Sequence, residues 1–213
     1  MHVRLIAITK PVIPECKSAG DLLGYCARVS NPANQANNET APKLLRSLVR
    51  NRHWSPFEMA SMTLEITTTR DIARQILRHR SFSFQEFSQR YAVQMAPSVL
   101  REARMQDAAN RQASHDTDDV NLKNWWLSEQ RRVADLTAQI YQRALERGIA
   151  KEVARAVLPE GMTESVLYVA GTIRSWIHYC QLRTEPGTQK EHRDVALACQ
   201  GILLEQFPAL EQI

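Results

Sequence analysis

The chain predicts an α+β fold: one domain over residues 1–213, mostly helical, with a central mixed or antiparallel sheet. Three observations predict it. Residues 2–9 and 60–68 alternate apolar and polar positions, the period of a half-buried strand. Longer stretches repeat apolar residues three and four positions apart, the period of an amphipathic helix. No internal repeat or long linker divides the chain, and 213 residues suffice for one core.

The elements follow in order. After the strand at 2–9, Ser18 caps a helix reaching about Val29, and 31–38 is a polar loop. Residues 40–51 form a second helix through Leu44, Leu45, Leu48 and Val49. The Ser55-Pro56 pair makes 53–58 a turn, and Met62, Leu64 and Ile66 then define the second strand. Residues 70–80 read as a helix with Ile72, Ala73, Ile76 and Leu77 on one face and Arg70, Arg74 and Arg78 as a ridge beside it. Residues 81–94 are a loop passing into a short strand. A helix is expected over 97–106 and a loose polar loop over 107–119. Asn121 is expected to cap a long helix to Arg147, packed through Leu122, Trp126, Val133, Leu136 and Ile140 and ended by Gly148. A short helix covers 150–157, stopping before Pro159. Residues 165–170 are β-rich, and Thr172 caps a helix over 173–182 that Pro186 and Gly187 close off. Thr188 and Glu191 have capping-box spacing for a last helix to about Gln206.

Composition excludes several classes. No apolar stretch approaches the ~20 residues that span a bilayer, and the first residues lack a signal peptide's pattern. A cytoplasmic protein with no membrane partner is expected. The four cysteines, at 16, 26, 180 and 199, form no CxxC pair, so neither a zinc site nor a disulfide framework is expected, and no metal is called for. Net charge is only +4, too little for a nucleic-acid tail, and no nucleic-acid partner is expected. Of the 27 basic residues, 21 are arginine, the side chain suited to gripping planar anions such as phosphate. Compositional drift would give the same excess.

One segment concentrates chemistry: Arg78-His79-Arg80-Ser81-Phe82-Ser83-Phe84-Gln85-Glu86-Phe87-Ser88-Gln89-Arg90. Three cationic or switchable groups in succession cannot lie unpaired in an apolar core. They must face solvent, carboxylates or an anion. Ser83, Glu86, Ser88 and Arg90 add groups for hydroxyls, phosphate or a base edge, and the phenylalanines add apolar surface between them. The strip suits a nucleotide. A solvated helix end followed by an amphipathic strand would show the same pattern, and an RNA or single-stranded DNA module would also use interleaved aromatics.

This run resembles the RHR-x-x-S-x-N-x-x-S-x-R signature of the flavin-dependent thymidylate synthases. Arg78, His79, Arg80, Ser83, Ser88 and Arg90 match, while Gln85 stands where the family has Asn. Ala27-Arg28-Val29-Ser30, the His53-Trp54-Ser55-Pro56-Phe57-Glu58 turn, Ala154-Arg155 through Leu158-Pro159, Arg174-Ser175-Trp176 and Leu182-Arg183 resemble further family segments in the same order. Met59 stands where a His is common.

The resemblance implies reductive methylation of dUMP to dTMP, with FAD as cofactor and NADPH and 5,10-methylenetetrahydrofolate as cosubstrates. It implies a homotetramer whose sites are shared between subunits. It places Ser30, Ser55, Arg78, His79, Arg80, Glu86, Thr172, Ile173, Arg174 and His178 at FAD. It places Gln75, Ile76, Leu77, Arg78, Glu86, Phe87, Ser88, Gln89, Arg90, Arg155 and Arg183 at dUMP. Arg183, as stabiliser of charge on the pyrimidine ring, and His53, near the flavin, are the implied catalytic residues. Helix geometry gives independent support: Arg174, His178 and Gln181 share one face of the 173–182 helix, while Ile173, Trp176, Ile177 and Cys180 share another. No Pro-Cys dipeptide is present, which disfavours a cysteine-nucleophile synthase. No G-x-G-x-x-G is present either, so a flavin must be held by another arrangement. A flavin reductase without methyl transfer is the remaining enzymatic alternative.

Overall fold

Alternation of buried and open positions on two nine-residue strands organises the molecule. The computed structural model describes residues 1–211. Strand β1 (His2–Ile8) pairs antiparallel with β2 (Ser61–Thr69), and β2 pairs antiparallel with β6 (Glu164–Thr172), in register from Ser61↔Thr172 to Thr69↔Glu164. The edge strand β3 (Ser83–Glu86) adds to β6, giving the order β1-β2-β6-β3. The sheet is thus wholly antiparallel. Met62, Leu64, Ile66, Leu167 and Val169 point to one face and are almost completely buried.

Three helices cover that face. They are α3 (Arg70–Ile76), α6 (Ile173–Arg183) and α7 (Lys190–Gln206). Each supplies a stripe at helical spacing to one core: Ile72, Ala73 and Ile76; Ile173, Trp176, Ile177 and Cys180; Val195, Ala196, Cys199 and Leu203. The Trp176 indole N–H donates to the Met62 carbonyl at 3.0 Å, meeting the one polar group that its burial would otherwise strand. Helices α1 (Ala19–Ala27) and α2 (Ala41–Arg50) close one end. Ser18 caps α1 as expected, and the Asp21 carboxylate accepts in return from the Ser18 N–H.

Several expectations are corrected. Residues 97–106 are not helical, because their backbone groups bond elsewhere: Val99 N–H to Met162 O, Arg101 N–H to the Gln130 side chain. They end in β4 (Arg104–Gln106), which pairs with β5 (Ser114–Asp116) inside the expected loose loop. Asp107 builds the hairpin turn by accepting from Ala109 and Asn110 N–H. Asp119, not Asn121, caps α4 (Val120–Glu146), accepting from Leu122 N–H. The expected face of α4 is also wrong. Its buried positions are Gln130, Ala134 and Tyr141, while Trp126, Val133 and Leu136 are exposed. The Gln130 amide explains the shift: it both donates to and accepts from the Arg101 main chain at 2.8 Å, so a polar residue anchors the helix. The segment 150–157 divides into α5 (Lys151–Ala154) and a 3₁₀ turn at Arg155–Val157. No side-chain cap forms at α7: Glu191 is drawn instead to Arg104.

Candidate active site

The Arg78-His79-Arg80 run owes its geometry to the early end of α3, which stops at Ile76 rather than continuing to residue 80. The amides of Arg78 and His79 bond three residues back, to Gln75 and Ile76, so the chain tightens out of the helix. Arg78 and Arg80 are left exposed and His79 half-buried. Neither Arg78 nor Arg80 has a hydrogen-bonded or carboxylate partner for its guanidinium among the described residues.

Phe82 then keys the chain into the sheet. A Cβ on Gly171 would lie 2.3 Å from a Phe82 ring carbon, so only glycine admits the ring here. The ring sits 4.5 Å from Trp176 and 5.9 Å from Tyr179, centroid to centroid. Immediately upstream, Arg183 at the end of α6 donates its Nε–H to His79 Nε2 at 3.0 Å. That bond requires the unprotonated Nε2. Burial, and next the Arg183 charge, lower the His79 pKa to about 4, so the ring is neutral. The two terminal nitrogens of Arg183 make no hydrogen bond among the described residues.

Helix α6 shows the two faces expected. Ile173, Trp176, Ile177 and Cys180 are buried, while Arg174, His178 and Gln181 are exposed. Thr172 caps the helix, its side chain accepting from Ser175 N–H. The exposed face lines a cavity of about 310 Å³ whose other walls are Trp54, Glu58 and Ser81. Arg174 bonds Glu58 at 2.7 Å. That contact first, and Thr172 second, hold the Glu58 carboxyl below its usual pKa. His53 is exposed at the turn that introduces this wall, after Arg52 in a left-handed conformation (φ 57°). Ser55 lines a second, more open groove of about 560 Å³ with Cys26, Val29 and Met59, and Ser30 is exposed in the turn after α1.

Strand β3 carries the rest of the motif to the opposite end of the sheet. At ~3.3 Å per residue, the ends of β3, Ser83 and Glu86, lie roughly 10 Å apart. Glu86 accepts from the Ser165 hydroxyl at 2.8 Å and pairs with Arg70 at 3.3 Å. Arg90 pairs with Glu152 on α5, and Arg155 Nε–H donates to the Glu152 carbonyl, so one residue gathers two of the expected dUMP ligands. Ser88 is exposed in the intervening turn and Phe87 is half-buried. Gln75 is half-buried, its amide bonded to Gln189 and His192. Leu77 is half-buried. The side chains of Ile76 and Ile173 are core residues, and the Gln89 side chain is buried with its amide near Gln94. These three offer a ligand only their main chain. Among the described residues, no hydrogen bond or ion pair joins the α6 cavity to the Arg90–Arg155 patch.

Three of the four thiols are held away from the reactive thiolate form. Burial pushes the Cys180 thiol up to about 12, raises Cys199 well above its usual value, and raises Cys16.

Sequence reasoning missed four contributors: Arg70 and Glu58 as ion-pair partners, and Gln189 and His192 beside Gln75. Only His192 left a signal. It stands in register with Val195, Ala196, Cys199 and Leu203, the apolar stripe of α7, so its burial could have been read.

An antiparallel sheet backed on one face by three helices makes this a single α+β domain, with exposed arginines beside the sheet. The comparisons give that class its family. The family model for thymidylate synthase complementing protein matches residues 12–209. The probable flavin-dependent thymidylate synthase of Paramecium bursaria Chlorella virus 1 is 51% identical over 210 residues, covering 99% of this chain and 97% of its own. The flavin-dependent thymidylate synthase of Synechocystis sp. is 51% identical over 213 residues, with the same coverage. Among solved structures, the UMP/dUMP methylase PolB from Streptomyces cacaoi bound with 5-Br dUMP superposes with a TM-score of 0.81 at 29% identity, covering 98% of this chain and 91% of that one. The chain belongs to the flavin-dependent thymidylate synthase family. Among the described residues, no helix is long and apolar enough to cross a membrane.

Proposed function

We propose that this enzyme methylates dUMP to dTMP, with 5,10-methylenetetrahydrofolate as carbon donor and FAD, reduced by NADPH, as cofactor. The observation that carries the reading is the Arg183–His79 contact. A neutral imidazole holds the guanidinium by its Nε–H and leaves the terminal N–H groups free. Those donors match the ionised N3 and adjacent carbonyl of a uracil ring, as guanidinium forks match carboxylates. As N3 ionises, Arg183 stabilises the negative charge, and carbon 5 becomes nucleophilic without a thiolate. Preorganised charge of this kind is often the largest catalytic contribution.

The residues present fit a flavin. The exposed stripe Arg174, His178 and Gln181 faces a cavity with an indole wall, and two unpaired guanidiniums, Arg78 and Arg80, lie on the adjoining turn. When bound, the flavin supplies the hydride that completes the methyl group. Small-molecule pockets run ~300–1,000 Å³, so about 310 Å³ takes a ring portion and not a whole dinucleotide. His53, Ser55 and Ser30 then serve the same cofactor from the neighbouring turns, with Thr172 and the Ile173 main chain at the helix N-terminus. At the other end of β3, Arg90 and Arg155 hold the dUMP phosphate. Glu86, Ser88, Gln75 and the main chain of Ile76, Phe87 and Gln89 hold its sugar and base.

A homotetramer supplies what one chain lacks. The cavity and the phosphate patch stand at opposite ends of a strand, and α4 presents Trp125, Trp126, Val133 and Leu136 uncovered. Apolar stripes on a helix are ordinarily covered by a partner. The test is an anaerobic assay with FAD, NADPH, dUMP and methylenetetrahydrofolate, scored for dTMP. Formation of dTMP is expected. Flavin reduction by NADPH with no dTMP would overturn methyl transfer and leave a reductase.

A further inference from the structure

Gln75 sits at the head of a polar chain whose every hydrogen bond has one allowed direction. Arg104 pairs with Glu191 through one carboxylate oxygen. The other oxygen accepts from Gln189 Nε2 at 3.0 Å. A carboxylate oxygen accepts and does not donate, so the Gln189 amide cannot be reversed: its nitrogen faces Glu191 and its oxygen faces away. That oxygen accepts from Gln75 Nε2 at 2.7 Å. The Gln75 carbonyl oxygen must then face His192 Nδ1, 3.1 Å away. An amide oxygen accepts only, so His192 donates from Nδ1 and its Nε2 is bare. His192 is completely buried, and Nε2 has no hydrogen-bond partner among the described residues. Burial also lowers its pKa to about 3, which keeps the ring neutral and the direction fixed.

We propose that Gln189 and His192 are positioning residues that lock the Gln75 carboxamide in one orientation, so that Gln75 offers its remaining Nε2–H to an acceptor oxygen of the bound nucleotide. The inference rests on the reading of Gln75 as a dUMP ligand. It adds the polarity of the contact and the groups that set it. A free glutamine turns its amide at little cost and presents either end. A locked one discriminates, because the wrong ligand group meets a donor with no acceptor. The lock also ties the nucleotide site to the β4–β5 hairpin through Arg104.

The test combines a mutant cycle with a tautomer measurement. Gln189 is half-exposed at the start of α7 and makes no helix cap, so Gln189→Ala is expected to fold. Its KM for dUMP is expected to rise about fivefold to tenfold, the size of one lost neutral hydrogen bond. Its kcat is expected to change by less than about twofold, and flavin content by absorbance to be unchanged. In a Gln75→Ala background, Gln189→Ala is expected to add nothing further. Multiplicative effects in the double variant, or an unchanged KM in Gln189→Ala beside a raised one in Gln75→Ala, would overturn the inference. An unchanged KM in Gln75→Ala would instead remove the reading beneath it. The ¹⁵N spectrum of histidine-labelled enzyme decides the lock without any turnover: His192 is expected as the Nδ1–H tautomer, and an Nε2–H signal would refute it.

Discussion

The two ends of the Arg78-to-Arg90 motif are held by different forces. At the α6 end, Phe82 is wedged against Trp176, Tyr179 and the bare backbone of Gly171, and His79 is pinned by Arg183. At the α5 end, Glu86 and Arg90 are tied by ion pairs to Arg70 and Glu152. Close packing has no substitute partner, so it fixes a backbone for good. The Arg70–Glu86 pair is largely buried, but the exposed Arg90–Glu152 pair exchanges readily for another anion, such as a phosphate. One end is therefore built to place groups, and the other to let go of them.

Breaking the packed end has the largest expected effect. Phe82→Ala is expected to cost ~3–5 kcal/mol of stability, as large buried truncations do, read from the urea midpoint. A loss below ~1 kcal/mol would show that the ring is not what anchors this turn. Next comes Arg183→Ala, expected to lower kcat by about 10²–10³-fold, the scale of one lost charge-stabilising donor. Arg183→Lys is not expected to restore it, because an ammonium lacks the fork. A loss confined to KM would remove the catalytic role.

Acid sharpens the comparison at intermediate size. His79 and His192 are kept neutral in the fold, at about 4 and about 3, against an ordinary 6.5. The unfolded chain binds those protons first. Stability is therefore complete above about 6.5 and falls as pH drops toward the folded values, by up to ~1.4 kcal/mol per pH unit for the buried His192 and by less for the half-buried His79. Carboxylates with lowered pKa, such as Glu58 and Glu160, add their losses only below about 4.5. The limb from 6.5 to 4.5 thus isolates the imidazoles, and a flat urea midpoint across it would contradict their burial as neutral rings. The smallest effect belongs to Glu152→Gln at the ion-paired end. Arg90 and Glu152 are 70% and 52% exposed, so stability is expected to move by less than ~0.5 kcal/mol. The KM for dUMP is expected to fall about twofold, because Arg90 loses a competing carboxylate. A large loss of stability would show that this end is packed after all.

What was legible in the chain follows the same division. Strands β1, β2 and β6 and both faces of α6 were readable, because each has one wet side and one dry side. The motif was readable because its polar groups have no place in a core. The end of α3 was not: nothing local separates a last helical turn from a 3₁₀ one. The face of α4 was misread because a glutamine, bonded to the main chain of Arg101, does the anchoring that apolar residues usually do. The β4–β5 hairpin is short and exposed, so it leaves no alternation. Glu191 was given a cap because spacing suggested one, and a tertiary arginine outbid the helix end. The pairs Arg70–Glu86 and Gln75–Gln189 join residues far apart in sequence, which no local pattern announces.

The missing side chain at Gly171 has a consequence for how such a protein can change over time. An aromatic ring borrowed from position 82 occupies the space a methyl would take on β6, so two sites 89 residues apart behave as one unit of inheritance. A lineage that enlarges the strand residue must first shrink the ring, and the intermediate carries a hole in the core beside the Arg78–Arg80 turn. Variation at either site alone should therefore be purged, however freely the neighbouring surface drifts.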